Sequence, residues 1–133
     1  MIKITILQNQ NKEYIGIESS GHAGFARRGR DIVCAAVSVL IINTINGIEQ
    51  YTEDAFSLET KENDSNFIKF RFTEDISSDS KLLMNVMVLG LTEIQKDYGK
   101  SYITLTTKRC RHVKVESSIF RSQEGCWFYK ERT

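Results

Sequence analysis

A chain of 133 residues with 41% hydrophobic side chains, 26% charged side chains and a net charge of +1 has the size and balance of one soluble globular domain, long enough for a single core and too short for two. No linker or repeat divides it, and no apolar run is long enough to span a bilayer. Cysteines at 34, 110 and 126 are odd in number and scattered, which argues against a disulfide framework.

Ile2, Ile4 and Ile6 alternate with Lys3 and Thr5, and Ile15 and Ile17 alternate with Gly16 and Glu18. Two strands follow from that period, with Gln8 to Lys12 as the hairpin turn. The first strand also occupies the place of an export signal, so the chain is expected in the cytoplasm, where a reducing environment keeps Cys34 a thiol. A helix from Asp31 to about Gln50 comes next, with Asp31 as its N-cap and apolar residues on nearly every face. Such a helix needs cover on both sides, from sheet, helix or a second subunit. Ala55 to Thr60 and Phe67 to Phe72 form a second hairpin around the polar stretch Lys61 to Asn66. Ser78 or Asp79 caps a second helix through Leu82, Val86, Leu89 and Ile94, with Gly99 as its stop. Tyr102 to Thr106 is the last strand. This order of strand, strand, helix, strand, strand, helix, strand predicts an α+β domain, two helices packed on a mainly antiparallel sheet.

The chemistry concentrates between the second strand and the first helix. Gly21-His22-Ala23-Gly24 precedes Asp31-Ile32-Val33-Cys34, so an imidazole and a thiol stand on either side of a glycine-rich turn. A thiol in the first turn of a helix lies among unpaired N–H groups at the positive end of the macrodipole, which favours thiolate over thiol. If the turn folds His22 over that helix end, the imidazole can take the thiol proton and later protonate a leaving amine. Asp31 can orient the imidazole, although capping the helix competes for the same side chain. The opposing reading is plain: a cysteine in an Ile/Val/Ala-rich helix is ordinarily a small core hydrophobe. Glycines beside His22 and the cations Arg27, Arg28 and Arg30 favour the reactive reading. Gly24, Phe25 and those arginines form either a loop that closes over substrate or a solvated turn. A thiolate phosphatase is disfavoured, because its pattern needs Arg six residues after the Cys and position 40 is Leu.

Gly-His-Ala-Gly after the second strand, followed by Asp-Ile-Val-Cys-Ala-Ala-Val-Ser, closely resembles the ribosomal-processing cysteine proteases, the Prp or YsxB-like family. The resemblance runs through residues 1 to 106 and implies a protease domain there. It implies that His22 and Cys34 are the catalytic pair, and that Gly21, Asp31 and Ser38 support them. It also implies a homodimer and a peptide substrate, the precursor of large-subunit ribosomal protein twenty-seven, whose N-terminal extension the family removes by cutting after a phenylalanine. No cofactor, metal or membrane is called for.

Residues 107 to 133 stand outside that resemblance. Lys108, Arg109, Arg111, Lys114, Arg121, Lys130 and Arg132 face only Glu116, Glu124 and Glu131, a net of +4 against −3 for the rest of the chain. This basic extension is either a solvated, partly disordered tail or a contact for RNA phosphates, with Trp127, Phe128 and Tyr129 as stacking surface. Cys110, His112 and Cys126 do not make a zinc site, since Cys-x-His is too tight and a fourth ligand is missing. A non-catalytic, ribosome-associated or RNA-binding module with a structural Cys34 is the alternative to the protease.

Overall fold

The computed structural model describes residues 1–21, 30–110, 120–121 and 127–128. Strand β1 (Ile2–Gln8) pairs antiparallel with β2 (Tyr14–Ser20), and helix α1 (Arg30–Tyr51) follows. Strands β3 (Phe56–Lys61) and β4 (Asp64–Phe72) form the second hairpin, and helix α2 (Ser78–Tyr98) leads to β5 (Ile103–Arg109). These strands make one five-stranded sheet in the order β3-β4-β2-β1-β5. Its pairs are antiparallel except β1 with β5, which run parallel in register from Ile2 opposite Ile103 to Gln8 opposite Arg109. The sheet is therefore mixed. Two short strands, β6 (Phe120–Arg121) and β7 (Trp127–Phe128), pair with each other within the extension.

The strand alternation does what its period requires. Ile2, Ile4 and Ile6 of β1, Ile17 of β2 and Ile68, Phe70 and Phe72 of β4 are all buried in one core, because a period of two places them on a single sheet face. The helices cover that face with Val33, Val37, Ile41, Ile45 and Ile48 of α1 and Met84, Met87 and Leu91 of α2. They lie against each other where Gly90 meets Leu40 and Gly47 meets Leu83, glycines leaving room for the facing leucines. Gly47 does not end α1, which continues to Tyr51.

The cover on the helices is one-sided. Val39 is 66% exposed and Leu89 61%, with Ile32, Leu82 and Val86 also exposed. Moreover, Ile32–Tyr51 is by length and composition long and apolar enough to cross a bilayer, contrary to the expectation of no such run. Its polar residues Ser38, Asn43, Thr44, Asn46 and Gln50 carry no charge and Glu49 is its one charged residue, so they interrupt the hydropathy too weakly to break it. The contacts of Val33, Val37, Ile41, Ile45 and Ile48 make α1 a core helix, a type that meets the same criterion.

Other boundaries shift for local reasons. Ser77, not Ser78 or Asp79, caps α2: its Oγ accepts the Ser80 N–H at 3.2 Å, and Asp54 holds it in place. Gly99 ends the helix at φ 88°, its N–H donating to the Gln95 carbonyl at 2.8 Å. Near the start of α2, the Glu13 carboxylate pairs with Lys81 at 2.5 Å and accepts from Asn9 at 2.9 Å, which ties the β1–β2 turn to α2. Strand β5 runs on to Arg109, and Cys110 behind it is buried beside Leu7 and Ile15. Cys110 is disulfide-bonded, whereas the odd cysteine count had argued against bridges. An odd count leaves room for one bridge and one free thiol; among the described residues the free thiol is Cys34. His112 and Cys126 lie outside the described residues.

Candidate functional site

Strand β2 delivers the chain to Gly21, and the backbone there admits only glycine. Its φ is +102°, and a Cβ at that position would overlap the carbonyl oxygen of Met1. An L side chain is strained at such a φ even without the overlap. His22, Gly24, Phe25, Arg27 and Arg28 lie outside the described residues.

Helix α1 begins at Arg30, so Asp31 sits within the first turn and not ahead of it as an N-cap. Cys34 follows one turn from the start. Its thiol is free and half-buried, with one flank against the core. The first turn of a helix has N–H groups without intrahelical acceptors, and Cys34 stands directly after it. Ser38 lies one further turn along, on the same helical face as Cys34.

One side chain joins these pieces. The Ser38 hydroxyl donates to Oδ1 of Asn66 at 3.0 Å, and Nδ2 of Asn66 donates to the Gly21 carbonyl at 3.3 Å. The Asn66 backbone N–H is itself held by Oδ1 of Asp64 at 3.1 Å. Gly21 and Ser38 are thus brought together through a residue of β4. Sequence reasoning missed Asn66 because it left residues 61 to 66 as a polar turn, whereas β4 begins at Asp64 and Asn66 is only 8% exposed. No periodicity marks such a residue; its burial depends on partners distant in the chain. Among the described residues, no cluster of His, Cys, Asp and Glu could hold a metal ion.

A half-exposed free thiol thus stands one turn into α1, and strand β2 leads into Gly-His-Ala-Gly. The family model described as Cysteine protease Prp matches residues 1–104. This chain belongs to the Prp family of cysteine proteases. The ribosomal processing cysteine protease Prp of Bacillus subtilis is 31% identical over 111 residues, covering 80% of this chain and 97% of that protein. The protein of the same description from Staphylococcus aureus is 25% identical over 101 residues, covering 76% and 94%. Among solved structures, the essential ribosomal processing protease Prp from S. aureus, in complex with a covalently linked product peptide, superposes with a TM-score of 0.73 at 25% identity, covering 81% of this chain and all of that one. SMU.848 from Streptococcus mutans superposes with a TM-score of 0.72 at 28% identity, covering 83% and 96%. Membership of the Prp family settles the choice between a protease and a non-catalytic module in favour of the protease, and the match reaches the first residues of β5.

Proposed function

We propose that Cys34 is the nucleophile and His22 the general base and acid of this protease, and that its substrate is the precursor of large-subunit ribosomal protein twenty-seven. The observation that carries this reading is the position of Cys34: half-exposed and free, one turn into α1, where backbone N–H groups are available to a developing oxyanion. The Prp relatives are named as ribosomal processing proteases, and the S. aureus structure with its covalently linked product peptide accords with covalent catalysis.

In this mechanism His22 takes the proton of the Cys34 thiol as Sγ attacks the scissile carbonyl carbon. The tetrahedral intermediate places its oxyanion near the N–H groups at the start of α1. It collapses with cleavage of the C–N bond, and the leaving amine takes the proton from His22. Water, deprotonated by the same imidazole, then attacks the thioester; the carboxylate product departs and the Cys34 thiol is restored. Asp31 and Ser38 support the pair, while the loop of Gly24, Phe25, Arg27 and Arg28, with Arg30 at the start of α1, contacts substrate.

The enzyme acts in the cytoplasm as a homodimer. Val39 and Leu89, with Leu82 and Val86 beside them, expose an apolar helical surface that a second copy would cover. The substrate assignment is tested with a peptide spanning the extension and the mature N-terminus of the ribosomal protein. Cleavage after the phenylalanine supports it; an intact peptide under conditions where a generic thiol-protease substrate is cut refutes it.

A further inference from the structure

We propose that Asn66 is a positioning residue for the protease site, fastening the peptide unit that enters His22 to the helix that carries Cys34. This rests on the assignment of His22 and Cys34 above.

The carbonyl that Asn66 grips is that of Gly21, and it belongs to the planar peptide group linking Gly21 to His22. Because Cα of Gly21, the carbonyl and Cα of His22 share that plane, holding the oxygen constrains where His22 starts. Gly21 is fixed from its other side by the close approach of Met1 and its φ of +102°. The opposite end of the same carboxamide is held by the Ser38 hydroxyl. Ser38 lies four residues beyond Cys34, about 6 Å along the helix axis at 1.5 Å per residue. One buried amide therefore spans from the first atoms of the His22 segment to the Cys34 face of α1. With Asn66 8% exposed, an unmade hydrogen bond is costly, so both links resist loosening. The hydrogen bond from the Asn66 backbone N–H to the Asp64 carboxylate holds the Asn66 backbone locally. Nothing else among the described side-chain hydrogen bonds joins Gly21 to α1.

The test compares Asn66→Ala and Asn66→Asp with His22→Ala and with each double variant, reading kcat and KM on the precursor peptide and the rate of Cys34 alkylation by iodoacetamide. Asp keeps the acceptor for Ser38 and nearly the same volume but loses the donor to Gly21, so it carries the test if the alanine variant does not fold. Expected is a loss of roughly 10- to 100-fold in kcat, the range a misplaced catalytic group produces, with KM within about twofold, the signature of a group acting in the transition state. Alkylation slows in parallel. In the His22→Ala background the Asn66 changes should add nothing, because they act through that imidazole. An equal loss in both backgrounds, or unchanged kcat in Asn66→Asp while His22→Ala is inactive, would overturn the proposal for Asn66 alone. Full cleavage by His22→Ala would overturn the catalytic pair instead.

Discussion

Oδ2 of Asp54 receives two hydrogen bonds from Ser77, the hydroxyl at 2.6 Å and the backbone N–H at 3.0 Å. The segment after α1 is thereby locked to the residue that caps α2. Burial opposes the Asp54 charge, but the Ser77 and Ser80 hydrogen bonds outweigh it and hold the carboxyl below the usual carboxylate range. A depressed native value means that the ionised group stabilises the fold above its ordinary pKa, and that this is lost as pH falls through the native value. Asp54→Ala should cost about 1–2 kcal/mol at pH 7, with the deficit shrinking as pH falls below the ordinary carboxylate range. Urea unfolding at several pH values measures it; a deficit independent of pH would contradict the ionic contribution.

Gly21→Ala tests the entrance to the site. The left-handed φ and the Met1 carbonyl both oppose a Cβ, so we expect a loss of about 1–3 kcal/mol or more and a fall in kcat, since the strand end must move. Thermal unfolding and peptide cleavage read the two effects. An alanine variant of wild-type stability would mean that the backbone relaxes freely here.

Ile41 is fully buried between α1 and the sheet. Its truncation to Ala removes apolar contacts and leaves a cavity, at an expected cost of about 2–5 kcal/mol. Denaturant titration checks this value. A cost below about 1 kcal/mol would place α1 outside the cooperative core.

The apolar helical surface tests the dimer. Val39→Asp and Leu89→Asp replace exposed side chains, so monomer stability should change by less than about 0.5 kcal/mol while the dimer dissociates. Light scattering on the eluted protein reads the mass. Two variants that remain dimeric would move the interface elsewhere.

Most of the frame was legible from local pattern. The alternation at Ile2, Ile4 and Ile6 and at Ile68, Phe70 and Phe72 named the buried sheet face, and Gly99 marked the end of α2, because period and capping are properties of neighbouring residues. Long-range relations were not legible in this way. The parallel pairing of β1 with β5 joins Ile2 to Ile103, and no turn residue announces it. Ser77 won the cap from Ser78 and Asp79 because Asp54 holds its side chain. Asn66 looked like part of a polar turn, since its burial is made by Ser38 and Gly21, far away in the chain. At the site, the motif indicated Cys34 and Gly21 from their sequence neighbours, and the first helical turn that holds Asp31 was misjudged by a single residue.

The central claim is that Cys34 performs the chemistry, and the decisive measurement is cleavage of the precursor peptide by Cys34→Ala at matched concentration and verified folding. We predict no cleavage beyond the uncatalysed rate and, for the wild-type enzyme, an acyl adduct recovered on the Cys34 peptide after acid quench. Cleavage by Cys34→Ala at the wild-type rate would contradict the account.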